Sequence, residues 1–308
     1  MSEILGLFGL GEVAALSGAA LFGLSNIIYR SQKDNVDAVT INSFKTWGAV
    51  VFFFGLVILL GLVNDVLNMS LVTLILLSLS IIIGAGIGDL IYLKGQELAG
   101  VSRAFPIAMS FPLVTYILEL IFFRTPFQLN KGLGILIIVL GVALISRSSL
   151  PEDDPPESPL NSFFNTSNNN LGLVLAILAA LIWAVAVLIL QVGLMESDPI
   201  SANFVRIIAA SLFLVPLFVF NYQKGEKRLP SRRTTIIILI GGFFGMSLGT
   251  FFYVAAVKFS GASTTAALSA TSPLFTLPLA VFFLKEKFSL LVVLGTILTV
   301  LGVLILVI

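Results

Sequence analysis

Four ionisable residues stand out as candidates within the long apolar stretches of this sequence: Lys45, Asp89, Glu119 and Arg206. An ionised side chain at bilayer depth costs about 2.5–3.5 kcal/mol on insertion scales, so each is expected to face protein or water rather than lipid. The two carboxylates offer two kinds of chemistry. Either can hold the ammonium group of a bound solute, and either can exchange a proton where desolvation favours the neutral acid. Glu119, in TYILELIFF, is the stronger proton-coupling candidate, since it sits deep in its segment with no basic residue within four positions. Asp89 is the second. The chain has no histidine, so any proton coupling must use a carboxylate.

The other polar and aromatic residues extend this substrate-binding set. Lys45 and Arg206 could flank an anionic or zwitterionic solute, or could snorkel to the headgroups, because both lie within about two turns of an expected helix start. Asp89, Tyr92 and Gln96 are spaced three and seven apart and share a helical face. Asp89 could instead pair with Lys94, and Glu119 with Lys45 or Arg206. Tyr92, Trp183 and Tyr253 offer aromatic walls for a substrate or cation. Gly84/Gly88 and Gly245/Gly249 are small residues four apart, a pattern that lets helices approach closely. Pro112 and Pro273 are expected in mid-helix, where each would free a carbonyl and serve as hinge or ligand.

Composition removes most other chemistry. There is no cysteine, and with histidine also absent, thiol nucleophiles, histidine bases and Cys/His metal sites are excluded. No G-x-S-x-G or phosphate loop is present. Catalysis by carboxylates alone is the one enzymatic route left open, so no catalytic residue, cofactor or metal is expected. A net charge of +1 supplies no basic field for nucleic acid. The expected partners are a small-molecule substrate and the lipid bilayer, with the chain a monomer or homodimer.

The elements that position these residues follow from the solvent. The chain is 58% apolar and 11% charged, and a membrane helix needs about 20 mostly apolar residues. Ten spans result: 11–29, 38–63, 69–93, 98–122, 131–147, 170–194, 200–221, 234–257, 262–284 and 289–308. The first span carries no cleavage signal and is expected to be retained. Residues 148–169 read as a polar linker, and 223–233 as a basic loop. The segments are continuously apolar rather than alternating, which argues against a β-barrel.

The two halves match without a gap at an offset of 161 residues. Over 84–142 there are 18 identities in 59 positions, among them Gly84/Gly245, Gly88/Gly249, Tyr92/Tyr253, Pro112/Pro273 and Gly141/Gly302. Lys45 and Arg206 are also mates, whereas Asp89 and Glu119 face Thr250 and Ala280. Five helices per half is an odd number, so the second copy enters the membrane in the opposite orientation. The fold expected is all-α and membrane-integral: ten transmembrane helices as two inverted five-helix repeats, 1–147 and 170–308.

The chain resembles the EamA-type branch of the drug/metabolite transporter superfamily over nearly its whole length. The resemblance rests on an aromatic residue in the first helix of each repeat (Phe22, Trp183) and a basic residue early in the second (Lys45, Arg206). It rests also on SPLFTLPLAVFFLKEKFSLLVVLGTILTVLGVLI, with Pro273, a charged exit at Glu286, and Gly295 and Gly302. The first repeat departs from it, with Thr125 and Pro126 at the charged exit. The resemblance implies a secondary transporter of a small metabolite. The alternatives are a flippase for a lipid-linked substrate or a channel-like facilitator.

The expected location is the cell membrane. Lys and Arg concentrate in the loops between helices 1–2, 3–4, 5–6, 7–8 and 9–10. By the positive-inside rule those loops are cytoplasmic and both termini lie outside, whereas the resemblance implies cytoplasmic termini.

Overall fold

The computed structural model describes residues 9–32, 36–148, 166–223, 230–276, 278 and 290–308. All regular structure among them is helical. In chain order the elements are α1 (Leu10–Arg30), α2 (Ala38–Leu59), α3 (Val63–Leu67) and α4 (Leu71–Ile81). A π-helical segment (Ile82–Gly88) follows, then α5 (Asp89–Ala99), α6 (Val101–Ala108), α7 (Phe111–Phe122) and α8 (Leu129–Ser148). The second half gives α9 (Thr166–Gly193), α10 (Pro199–Gln223), α11 (Arg232–Gly242), a second π-helical segment (Phe243–Gly249), α12 (Thr250–Ser260), α13 (Ala262–Ser269) and α14 (Leu290–Val307).

Eight spans among the described residues are long and apolar enough to cross a bilayer, and Leu129–Ile145 is a shorter apolar helix. The expected span 262–284 is described only in its first part, and Glu286 lies outside the described residues, as does most of the linker. Linker residues 166–169 are helical and open α9.

The sequence repeat is a structural one. Each boundary from α4 to α6 recurs 161 residues later in α11 to α13, the π-helical segments included. Ser70 and Ser231, also mates, each accept from the backbone N–H three residues on, at 3.1 and 3.2 Å, and so cap α4 and α11. Gly100 and Gly261 turn the chain between helices at φ of 80° and 83°, a conformation that costs glycine little.

The chain forms two compact units, and each takes helices from both halves. The first comprises Met1–Ile82, Ile189–Gly261 and Leu274–Glu286; the second Ile83–Leu188, Ala262–Pro273 and Lys287–Ile308. In the first, Ala49, Phe53 and Val57 of α2 pack with Phe204 and Ile207 of α10. Phe44 and Trp47 meet Phe218, while Phe54 meets Phe204, so α2 and α10 run antiparallel. In the second unit α8 and α14 pack through glycines. A Cβ on Gly134 would lie 2.6 Å from the Leu306 backbone, and one on Gly141 2.7 Å from the backbone of Gly295 and of Thr299. Gly295 and Gly302 meet Ile145 and Ile138 in the same way. The partner's number falls as the glycine's number rises, so this pair is antiparallel too. Helices 2 and 5 of one half thus run opposite to their mates in the other, which is the inverted relation expected from an odd helix count.

The prolines correct one expectation. Pro112 is not in mid-helix: the chain turns at Met109–Ser110, and Pro112 is the second residue of α7. Pro273 is likewise the second residue of a helical stretch, 272–276. In a first turn the missing N–H has no helical partner to lose, so neither proline frees a carbonyl. Among the described residues, Pro106 lies inside α6 and Pro216 inside α10.

Candidate functional site

The described spans hold three polar clusters and, apart from them, the Lys45 ammonium beside an aromatic ring. In the second unit, α5 presents Asp89 and Tyr92 towards α9. The Trp183 indole donates from Nε1 to Asp89 Oδ1 at 2.9 Å. The Tyr92 ring lies 5.1 Å from the indole, and Phe111, at the start of α7, lies 5.8 Å from it in an edge arrangement. Gln96 Nε2 donates to the Tyr92 hydroxyl, which bears out the shared face of Asp89, Tyr92 and Gln96. Gly88 makes the approach possible, since a Cβ there would lie 2.7 Å from the indole Cδ1 and Nε1. Lys94, the alternative partner for Asp89, instead pairs with Glu97 at 2.8 Å on the exposed side of α5.

The second cluster of this unit centres on Glu119, 4% exposed on α7. Lys131 of α8 approaches its Oε2 at 3.4 Å, and Ser263 of α13 donates to the same oxygen. The Lys131 ammonium stands 5.5 Å from the centroid of the Tyr116 ring. The Tyr116 hydroxyl in turn donates to the Gln128 carbonyl and accepts from its N–H, at 3.0 and 2.8 Å, fastening the α7–α8 connection. Glu119 therefore pairs with Lys131 rather than with Lys45 or Arg206. The cation is twelve residues away along the chain, beyond the window of four in which the sequence shows none. Neither Glu119 nor Lys131 has an ionisable mate in the other half, where Ala280 and Val292 stand.

The first unit holds the third cluster. Arg206, 6% exposed on α10, donates from Nε to Ser80 Oγ at 3.0 Å and from Nη1 to Asn203 Oδ1 at 3.3 Å. Asn203 donates onward to Thr250 Oγ1 at 2.8 Å. Arg206 is therefore held inside the helix bundle, not snorkelled to a surface. Asn203 was legible as a partner, standing three residues before Arg206 on the same face; Ser80 and Thr250 come from other helices and carry no such signal.

Lys45 does not join Arg206. Its ammonium stands 5.1 Å from the centroid of the Tyr29 ring, and its backbone crowds Gly242. With α2 and α10 antiparallel and Trp47 facing Phe218 while Phe54 faces Phe204, the two residues sit about 10–20 Å apart along the pair at 1.5 Å per residue. Phe22 and Tyr253, mates of Trp183 and Tyr92, meet edge-on at 6.4 Å. Gly249 admits the Phe22 ring, 3.0 Å from where a Cβ would stand, as Gly88 admits Trp183. Lys258 donates to the carbonyls of Leu194 and Met195, beyond the end of α9. Among the described residues no three Asp or Glu side chains come close enough to hold a metal ion.

Three comparisons bear on this arrangement. The family described as the EamA-like transporter family matches residues 9–147 and 170–308. A protein of Archaeoglobus fulgidus named as an uncharacterized transporter is 26% identical over 294 residues, covering 95% of this chain and 96% of that one. A crystal structure of a protein at 15% identity superposes with a TM-score of 0.73 over 96% of each chain, a likeness of fold alone.

Proposed function

Because this chain belongs to the EamA-like transporter family, a family of membrane transporters, we propose that it is a secondary carrier. In this reading it moves a small polar, zwitterionic or organic-ionic metabolite across the cell membrane by alternating access. The observation that carries the reading is the coexistence of antiparallel repeat mates with ionisable residues held at membrane depth by specific partners. In one unit a carboxylate among aromatic rings (Asp89, Tyr92, Trp183) suits an ammonium group, and in the other a hydrogen-bonded guanidinium (Arg206) suits an anionic one. Polar groups at that depth are costly and usually mark a solute or ion path.

The test is counterflow in proteoliposomes. A thermal-shift screen against metabolite panels first supplies a solute, since a ligand at 100 times its dissociation constant stabilises by about 2.7 kcal/mol. A carrier accelerates labelled uptake when unlabelled solute is loaded inside; a channel-like facilitator shows no such trans-stimulation. Alternating access would let repeats 1–147 and 170–308 close one membrane face at a time. Paired cysteines that cross-link both faces at once, without loss of transport, would contradict it, and the chain has no native cysteine to interfere.

Glu119 is the proposed proton-coupling residue, with Asp89 second. The Lys131 ion pair and the Ser263 hydroxyl give Glu119 distinct partners for its charged form. Coupling predicts that Glu119→Gln loses uphill uptake driven by a pH gradient while retaining exchange. Unchanged pH-driven accumulation removes Glu119 from the mechanism.

One observation favours the second reading, a flippase for a lipid-linked substrate. An apolar groove of about 450 Å³ runs between Phe44, Trp47, Val51 and Phe52 of α2 and Leu239 and Phe243, with Ser247 among its lining residues. Stabilisation by long-chain lipids alone, with no response to polar metabolites, would favour that reading over the carrier.

A further inference from the structure

Resting on the carrier reading, we infer that the Asp89–Tyr92–Trp183–Phe111 cluster is a recognition site for an organic ammonium group, which makes the solute an amine or quaternary ammonium compound. Three features carry this. First, two aromatic rings, Tyr92 of α5 and Phe111 of α7, stand against the Trp183 indole of α9 at 5.1 and 5.8 Å. Rings within about 6 Å of a cation attract it through their quadrupoles, and the attraction grows where water is excluded.

Second, the carboxylate is aimed and solvent-accessible. Trp183 Nε1 holds one Asp89 oxygen at 2.9 Å, while the residue itself is exposed. Asp89 lies within the 29-residue span Leu71–Ala99, about two-thirds of the way along. An accessible carboxylate at that depth must border water or a polar solute, because lipid would not tolerate it.

Third, the cluster departs from the symmetry that governs the rest of the helix frame. The mates of Asp89, Tyr92, Trp183 and Phe111 are Thr250, Tyr253, Phe22 and Ser272. The other half keeps the packing pair, Phe22 against Tyr253, but has no carboxylate, no indole N–H and no third ring. If the rings served packing alone, nothing would require the acid and the indole donor together in one half. Gly88 completes the design by letting the indole edge pass α5 on its way to Asp89.

The chain makes a direct test available. Its two tryptophans are Trp47 and Trp183, so Trp47→Phe leaves Trp183 as the sole indole reporter. The purified full-length Trp47→Phe protein is titrated with choline and tetraethylammonium, and in parallel with 3,3-dimethyl-1-butanol, the uncharged carbon isostere of choline. The expected result is a saturable change in Trp183 emission with at least one ammonium probe and a much weaker one with the isostere. Asp89→Asn, which still accepts from the indole, should weaken binding about tenfold or more, and Tyr92→Leu or Phe111→Leu several-fold, as loss of a cation–ring contact requires. Should Asp89→Asn fail to fold, the two ring variants decide alone. Equal binding of the neutral isostere, no response to either ammonium probe, or unchanged affinity in every foldable variant overturns the assignment. The carrier reading fails separately: if the probes bind but no solute shows counterflow, the ammonium site stands and transport does not. If counterflow is found only for solutes without an ammonium group, and neither probe binds, the carrier stands and the site does not.

Discussion

Removing the Glu119 carboxylate should destabilise the protein more than any surface charge does, and removing Lys131 together with it should restore part of the loss. The two charges approach to 3.4 Å with side chains 6% and 17% exposed. At an effective dielectric of 20, Coulomb's law gives a gross attraction of about 5 kcal/mol at that distance. Desolvation of both groups offsets much of it, so the net worth of the pair is small while the cost of breaking it is not. Leaving one buried charge uncompensated costs about 3–5 kcal/mol in comparable sites. Glu119→Gln leaves the Lys131 ammonium with the Tyr116 ring as its remaining partner here; Lys131→Met leaves the carboxylate with the Ser263 hydroxyl. Each single variant should therefore lose about 3 kcal/mol or more, and the double variant should cost less than the sum by about 1–3 kcal/mol, the usual coupling between contacting residues. The assay is a double-mutant cycle by denaturant unfolding in one detergent, with Ser263→Ala measured alongside. If both single variants lose less than about 0.5 kcal/mol and their effects simply add, the pair is not coupled in the folded protein and the reasoning fails.

Further outcomes follow from other contacts. Gly141→Ala and Gly295→Ala each drive a Cβ to within 2.7 Å of backbone on the facing helix, so each should lose about 1–3 kcal/mol of stability by overpacking, read as a lowered melting temperature. Arg206→Lys keeps the charge but cannot reach Ser80 and Asn203 in the same geometry; it should cost about 1–3 kcal/mol and impair transport, and wild-type behaviour in both would show that the guanidinium geometry is dispensable. Ser231→Cys and Ser70→Ala each remove a helix cap and should each cost about 1 kcal/mol. The same Ser231→Cys protein reports orientation. The positive-inside rule puts this residue in the cytoplasm, so an impermeant thiol reagent should leave it unlabelled in intact cells, and labelling reverses the assignment.

The helix frame was legible because it rests on local signals. Runs of about 20 apolar residues announce the spans, and the 161-residue offset ties the two halves together before any contact is known. The helical face shared by Asp89, Tyr92 and Gln96 could be read from spacing alone. Lys131 could not, because its approach to Glu119 depends on how the α7–α8 connection doubles back, and Tyr116 fixes that turn through Gln128. Ser80 and Phe111 were invisible for the same reason: their helices are brought to Arg206 and Trp183 by tertiary packing. The prolines misled because the apolar run through 98–122 conceals the turn at Met109–Ser110, and a proline just after a break looks in sequence like a proline within a helix.

The two π-helical segments bear on history as well as on geometry. Each is a departure from regular winding, and the two fall on the same residues of each half, Ile82–Gly88 and Phe243–Gly249. One distortion already present in an ancestral half-gene, copied when that gene doubled, accounts for both; two later insertions at matching positions would need a coincidence. Asp89, Glu119 and Lys131 have no ionisable counterparts across the offset, where Thr250, Ala280 and Val292 stand, so the shared winding is kept where the charges are not.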